Sequence, residues 1–193
     1  PDSNVLAGIE IISKLTTELN KYSRLTIMKN TTVVSLLKEG NKVVGVSYQT
    51  DNKPIKNMYS NVVILATGGY ANDHSNTSLL YKHRPELKHL PTTNSSATTG
   101  DGVKMGMLIG ALTRDLNEIQ VHPTGFIDPD DKTNKTKVLC AEVVRGIGAI
   151  LVNSDGERFC NELGTRQYVV DMMNKQKVKK LLLEMNQYQL NSV

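Results

Sequence analysis

The sequence predicts a mixed α/β fold with α+β elements, and three observations predict it. Residues 5 to 21 place Leu6, Ile9, Ile12, Leu15 and Leu19 at helical spacing. Runs rich in β-branched residues flank a turn at "EGNK", residues 39 to 42. A continuous apolar run, "VVILA", fills residues 62 to 66 and ends on paired glycines. The first is an amphipathic helix. The second is an antiparallel meander, built from "RLTIMKN", "TTVVSLLKEG" and "VVGVSYQT". The third has the pattern of a strand covered on both faces in a parallel or mixed sheet.

Beyond that run, Thr67-Gly68-Gly69 closes the expected strand, where two glycines permit positive φ and close approach of a backbone or a ligand. A structural turn and a ligand contact both fit. Residues 91 to 99 form a small-polar loop, after which "GDGVKMGMLIGALTRD" resumes helical spacing through Val103, Met107 and Ile109. Asp101 at its start is either an N-cap or part of a helix end that offers N–H groups to an anion. "QVHPTGFIDPDDKTNKTK" reads as a long polar loop of the functional or mobile kind. "NSDGE" turns a hairpin between "GAILV" and "RF", and residues 165 to 192 carry a polar helical pattern.

The bulk composition narrows the function classes. The 193 residues suffice for one domain with a core or for two small ones, and 39% hydrophobic with 22% charged content is that of a soluble globular chain. No apolar run approaches the roughly 18 residues needed to cross a bilayer. The net charge of +4 is dispersed, with a local cluster at Lys175, Lys177, Lys179 and Lys180 that reads as a solvated helix face rather than a nucleic-acid footprint. Two cysteines outside CxxC spacing point to free thiols in a reducing compartment, with one disulfide left open. The compartment itself is unknown; a soluble intracellular protein, of the cytoplasm or an organelle lumen, is the expectation.

Groups able to hold anions or move protons concentrate late in the chain: His122, Thr124, Glu142, Arg145, Arg158, Glu162 and Arg166. Glu142 and Arg145 are three apart, so one helical turn would put them on one face, where they could pair. Such a set suits an anionic substrate held by Arg and His, with proton transfer. It lacks a P-loop, HExxH, GxSxG and any His/Cys cluster at metal-ligand spacing, so no metal is expected. The GxGxxG dinucleotide fingerprint is missing as well.

"ILATGGY", "TTGDGVKM", "IQVHPTGFIDP", "AEVVRGIGAILVNSDGERF" and "NELGTR", in this order, resemble the flavoproteins of the succinate dehydrogenase/fumarate reductase superfamily. "HPTGFIDPDD" is most similar to the soluble, FAD-dependent fumarate reductases of eukaryotes. The five motifs span residues 61 to 167, and a looser likeness reaches back to residue 5. The resemblance implies an internal fragment: residues 1–120 as the middle of a Rossmann-like FAD-binding domain and residues 121–193 as the start of a capping domain. The family's GxGxxG would precede residue 1, and a later histidine and arginine would follow residue 193.

The same resemblance implies roles. Val33, Thr67, Gly68, Gly69, Thr99, Gly100 and Asp101 match segments that meet FAD. His122, Thr124 and Glu142 match the substrate side, which takes a small dicarboxylate such as fumarate or succinate. Glu142 and Arg145 match a proton relay, and Arg166 matches the arginine that protonates the substrate. Ala141 replaces a hydroxyl residue of bacterial relatives, and Gln167 replaces an Asp. Other readings stay open: another unsaturated acid, oxidation of succinate or aspartate, or a noncatalytic flavin-binding or interaction module. The electron donor is unknown.

Overall fold

The computed structural model describes residues 7 to 176. They fall into two compact units, Pro1–Val63 and Ile64–Val193.

The first unit opens with α1 (Ala7–Leu19), followed by β1 (Thr31–Glu39), β2 (Lys42–Thr50) and β3 (Lys56–Tyr59). The helix falls where the apolar spacing places it, although Ile9, Ile12 and Leu15 all remain exposed. The meander is antiparallel in the order β1-β2-β3. Its first turn joins Glu39 to Lys42, with Gly40 at φ +56. Gly45 faces Tyr59 on β3, where a Cβ would lie 2.1 Å from the Met58 carbonyl oxygen, so this close strand approach requires glycine. Two expectations need correction. "RLTIMKN" is not a strand, and the third strand is "KNMY". Ser47 explains the choice of β3: buried in the sheet, it donates to Asn57 Oδ1 at 2.8 Å, a long-range bond that local propensity does not encode.

The apolar run 62 to 66, which straddles the boundary between the units, is not a strand: Ile64 is 84% exposed, and no strand among the described residues pairs with it. The apolar pattern specifies a two-sided environment, but pairing requires a neighbour in register, and the described residues offer none. The second unit continues from there. α2 (Leu79–His83) is capped by Ser78, whose Oγ accepts from Tyr81 N–H and donates to the Asp73 carbonyl. A 3₁₀ turn covers Pro85–Leu87. α3 (Asp101–Leu108) buries Gly102, Met105 and Gly106 rather than the Met107 stripe. Its N-cap is Gly100 in the left-handed region, and Asp101 is the first helical residue, which corrects the cap expectation.

The expected polar loop contains a small ladder: β4 (Gly125–Phe126) pairs with β5 (Val138–Leu139). Thr92 ties down its far side by donating to Lys135 O and accepting from Lys137 N–H, each at 2.7 Å. α4 (Glu142–Gly146) and α5 (Arg166–Asn174) follow. Between them the turn at Asn153 forms, with Asn153 N–H on Glu157 O, but the hairpin reduces to the single bridge Val152↔Arg158. α5 buries Val169 completely against Leu151 and Cys160, with Phe159, Met172 and Met173 around them.

Cys140 and Cys160 are free, as expected. No helix among the described residues is long and apolar enough to cross a membrane. The described residues hold no His/Cys/Asp/Glu group able to bind a metal. Helix beyond residue 176 and the lysines at 177, 179 and 180 lie outside the described residues.

Candidate functional site

Two sets of side chains and backbone groups in the second unit match the residues singled out from sequence. The first is a glycine-lined corner. Gly100 N–H donates to Gly69 O at 3.0 Å, so the loop before α3 lies against the Thr67-Gly68-Gly69 segment. A Cβ on Gly102 would lie 2.1 Å from Thr67 Oγ1, and one on Gly100, at φ +76, would lie 2.7 Å from Tyr70 Cβ. Glycine is therefore required twice for this contact. Gly68, at φ +73, is different: a Cβ there would meet open space. The corner thus presents an exposed turn of bare backbone at Gly68, beside the first turn of α3. Thr99 Oγ1 donates to Asp101 Oδ1 at 3.0 Å and fixes the loop's polar edge. Exposed N–H groups beside a helix start suit a phosphate or pyrophosphate.

Behind the corner, Asp73 and Lys104 form a half-buried pair at 2.6 Å. Burial raises the Asp73 carboxyl, but hydrogen bonds from Lys104 and Ser75 outweigh it and hold the group below the usual carboxylate range. Lys104 sits on α3, so this pair ties the helix to the segment after Tyr70. Val33 belongs to β1 in the first unit, where it pairs with Tyr48.

The second set holds the charged candidates. The segment from Gln120 to Thr124 forms no strand and bends at Pro123. His122 Nδ1 lies 2.9 Å from Thr124 O and accepts or shares the Thr124 N–H at 3.3 Å. A protonated ring satisfies the carbonyl through Nδ1–H and leaves Nε2–H for an anion. Thr124 Oγ1 donates to Cys140 O at 3.0 Å, which brings this segment to the start of α4. Pro123 is buried and holds the bend between the two contacts.

α4 places Glu142 and Arg145 on one turn, as expected, but they do not pair with each other. Glu142 is exposed and lies 3.2 Å from Arg166 Nη2. Arg145 is buried at 4% exposure and donates through Nη1 to Glu162 O at 2.6 Å. Its stem is covered, and its head meets a carbonyl 17 residues further along the chain rather than the carboxylate on its own turn. Arg145 Nε and Nη2 are buried without a partner among the described residues.

Arg166 opens α5, behind Thr165, whose Oγ1 accepts from Tyr168 N–H. A cation at a helix N-terminus is disfavoured by the dipole, typically by about 0.3–1 kcal/mol. Two acceptors offset that cost here: Gln120 Oε1 at 2.7 Å from Nη1, and Glu142. Gln120 was missed in the sequence. No local signal marked it, since its partner Arg166 lies 46 residues further along the chain. Gln167 turns away to donate to Asp171 Oδ1 at 2.8 Å, so it does not orient Arg166.

Glu162 sits below, 3% exposed, accepting from Leu151 N–H and paired with Arg158 at 2.6 Å. The Arg158 hydrogen bonds hold its carboxyl down to about 2, against a smaller desolvation effect. Burial pushes the neighbouring Cys160 thiol up, so that thiol stays protonated at neutral pH.

The family model described as "FAD binding domain" matches residues 1–185. The chain belongs to the FAD binding domain family. Members bind FAD, and the open backbone corner at Gly68 beside α3 fits the phosphates of that group. The family chain is 51% identical to "Fumarate reductase" of Schizosaccharomyces pombe over 156 residues, covering 80% of this chain and 30% of that relative. It is 38% identical to "Fumarate reductase 1" of Saccharomyces cerevisiae, covering 87% of this chain and 36% of that one. It also superposes on the open conformation of a flavocytochrome c3 fumarate reductase with a TM-score of 0.68 and 32% identity, covering 91% of this chain and 29% of that one. This FAD binding domain chain therefore spans about a third of the length of the curated relatives it matches. The α/β fold class with a small antiparallel sheet agrees with these neighbours.

Proposed function

We propose that this chain forms part of an FAD-dependent enzyme that reduces fumarate to succinate. The observation that carries the reading is Arg166, held at the head of α5 between Gln120 and Glu142, with His122 two residues after Gln120 in the chain. In this reading the guanidinium and the imidazole together take a dicarboxylate, and Arg and His donors favour the charge that develops on the far carboxylate. In this reading residues 1–120 contribute the middle of the FAD-binding domain and residues 121–193 the start of the capping domain. Val33, Thr67, Gly68, Gly69, Thr99, Gly100 and Asp101 hold the cofactor, which supplies hydride when bound.

His122 holds one substrate carboxylate through Nε2, and Thr124, whose hydroxyl donates to Cys140 O, fixes Nδ1 of that ring. Arg166 donates the proton to the alkene carbon next to the polarised carboxylate. A guanidinium is a weak acid, yet a carbanion-like centre is basic enough to take its proton. Glu142 then returns a proton to Arg166 across their ion pair, and Arg145 stands behind Glu142 on the same turn. The pair's exposure gives Glu142 access to water as the ultimate proton source.

The test uses the FAD-loaded protein expressed from its whole reading frame, with reduced viologen as donor and succinate quantified by chromatography. Succinate formation that disappears in Arg166→Ala is the expected result. A loaded wild-type protein that makes no succinate removes the reading.

A further inference from the structure

We propose that Glu162 is a positioning residue for Arg145, holding that guanidinium by its own backbone carbonyl while Arg158 and the Leu151 amide hold Glu162. The kinetic consequence rests on the function proposed above; the positioning itself does not.

Arg145 enters the protein from α4 and is almost wholly buried, yet among the described residues its side chain makes one hydrogen bond, from Nη1 to Glu162 O at 2.6 Å. Nε and Nη2 are also buried and have no acceptor among the described residues. Guanidinium carries five N–H donors, and native interiors rarely leave them unused. A charged group kept in this state is stable only if something fixes it and something balances it.

Glu162 does both. Its carboxylate is caught from two directions: Oε1 accepts from Leu151 N–H at 2.9 Å, and Arg158 donates through Nε to both oxygens at 3.1 Å and through Nη2 to Oε2 at 2.6 Å. Three bonds from one guanidinium make a fork that resists rotation. With the side chain pinned, the carbonyl of the same residue becomes a fixed acceptor for Arg145. The charged and titratable groups around Glu162 are Arg158, Arg145 and Cys160, with Tyr168 beside Arg158. Glu162 is the anion of this group, since the Cys160 thiol stays protonated, and it offsets the buried charge of Arg145. Without that anion a buried guanidinium is strongly destabilising.

One bond fixes Arg145, so its direction depends on where Glu162 O lies. The Glu162 carboxylate is already occupied by Arg158. Arg158 thus has a specific part: it takes up the carboxylate that would otherwise capture Arg145.

The experiment compares wild type, Glu162→Gln and Arg158→Gln in the FAD-loaded, whole-frame protein, with two readouts. The first is hydrogen exchange of the Arg145 Nε–H, observed by NMR in ¹⁵N-arginine-labelled protein and assigned by its loss in Arg145→Lys. Exchange at least about tenfold faster in Glu162→Gln is expected, and the same direction with a smaller change in Arg158→Gln. The second is kcat for fumarate reduction per bound flavin, expected to fall by about ten- to a hundredfold with KM within twofold of wild type. A purely structural Glu162 would lower the melting temperature and the yield of loaded protein while leaving kcat per flavin unchanged, and that outcome overturns the proposal. Unchanged Nε–H exchange overturns it equally, including the case in which wild type fails to reduce fumarate. If Glu162→Gln does not fold, Arg158→Gln decides by the same two measurements.

Discussion

Glu142 lies 3.2 Å from Arg166 and leaves Arg145, its neighbour on the same helical turn, to the Glu162 carbonyl. The two arginines are thereby separated by environment, one at the surface on an ion pair and one in the interior on a single neutral acceptor. Their substitutions have different signatures.

For Glu142→Gln we expect almost no change in stability. The pair with Arg166 is exposed on both sides, and exposed pairs contribute about 0–1 kcal/mol. Succinate formation should nevertheless slow by at least about tenfold, because the amide cannot carry the returning proton. Thermal melts and turnover on the same preparation check this; equal turnover would show that Glu142 serves only the surface.

Arg166→Lys keeps a positive charge but loses the planar fork that reaches Gln120 and Glu142 together. Fumarate reduction should fall by about a hundredfold or more, as for loss of a positioned proton donor. FAD content should be unchanged, since Arg166 is remote in sequence and bonding from the glycine corner. Flavin absorbance and viologen-linked turnover test the two halves, and wild-type turnover in this variant would remove Arg166 from the role.

Gly102→Ala should destabilise the second unit by about 1–3 kcal/mol, because its methyl would meet Thr67 Oγ1 at 2.1 Å. The Thr67-Gly68-Gly69 segment has to move, so FAD affinity should drop with it. Gly8→Ala on α1 is the control: a Cβ there meets nothing within 4 Å, and helix propensity favours Ala. Flavin fluorescence titration beside thermal melts should show loss in the first variant and none in the second.

Acid titration should report Glu162 directly. Its folded carboxyl lies at about 2 against an ordinary 4.5, mainly through Arg158. A depressed folded value contributes stability that is present above the unfolded value and lost as pH falls through the folded one. Wild type should therefore lose this contribution between pH 4.5 and about 2, whereas Glu162→Gln, less stable at neutral pH, should flatten across that window. Asp73, also depressed, remains in both proteins, so the difference isolates Glu162. Parallel curves in denaturant melts at stepped pH would contradict the assignment.

Sequence alone fixed what depends on near neighbours. The apolar spacing of α1 and the Gly40 turn of the meander are local, and both formed where expected. The family was legible because its short motifs stand in order along the chain. Tertiary structure decided the pairings. A carboxylate three residues from an arginine satisfies the helical rule, yet Glu142 took Arg166 while the buried Arg145 took the Glu162 carbonyl, partners that lie far along the chain. β3 replaced "RLTIMKN" because Ser47 and Gly45 select their strand partner through space. The apolar run 62 to 66 stayed unpaired because a strand is defined by its neighbour and not by its own residues. Gln120 entered the site for the same reason: its hydrogen bond to Arg166 joins residues 46 apart and leaves no mark on the local sequence of either one.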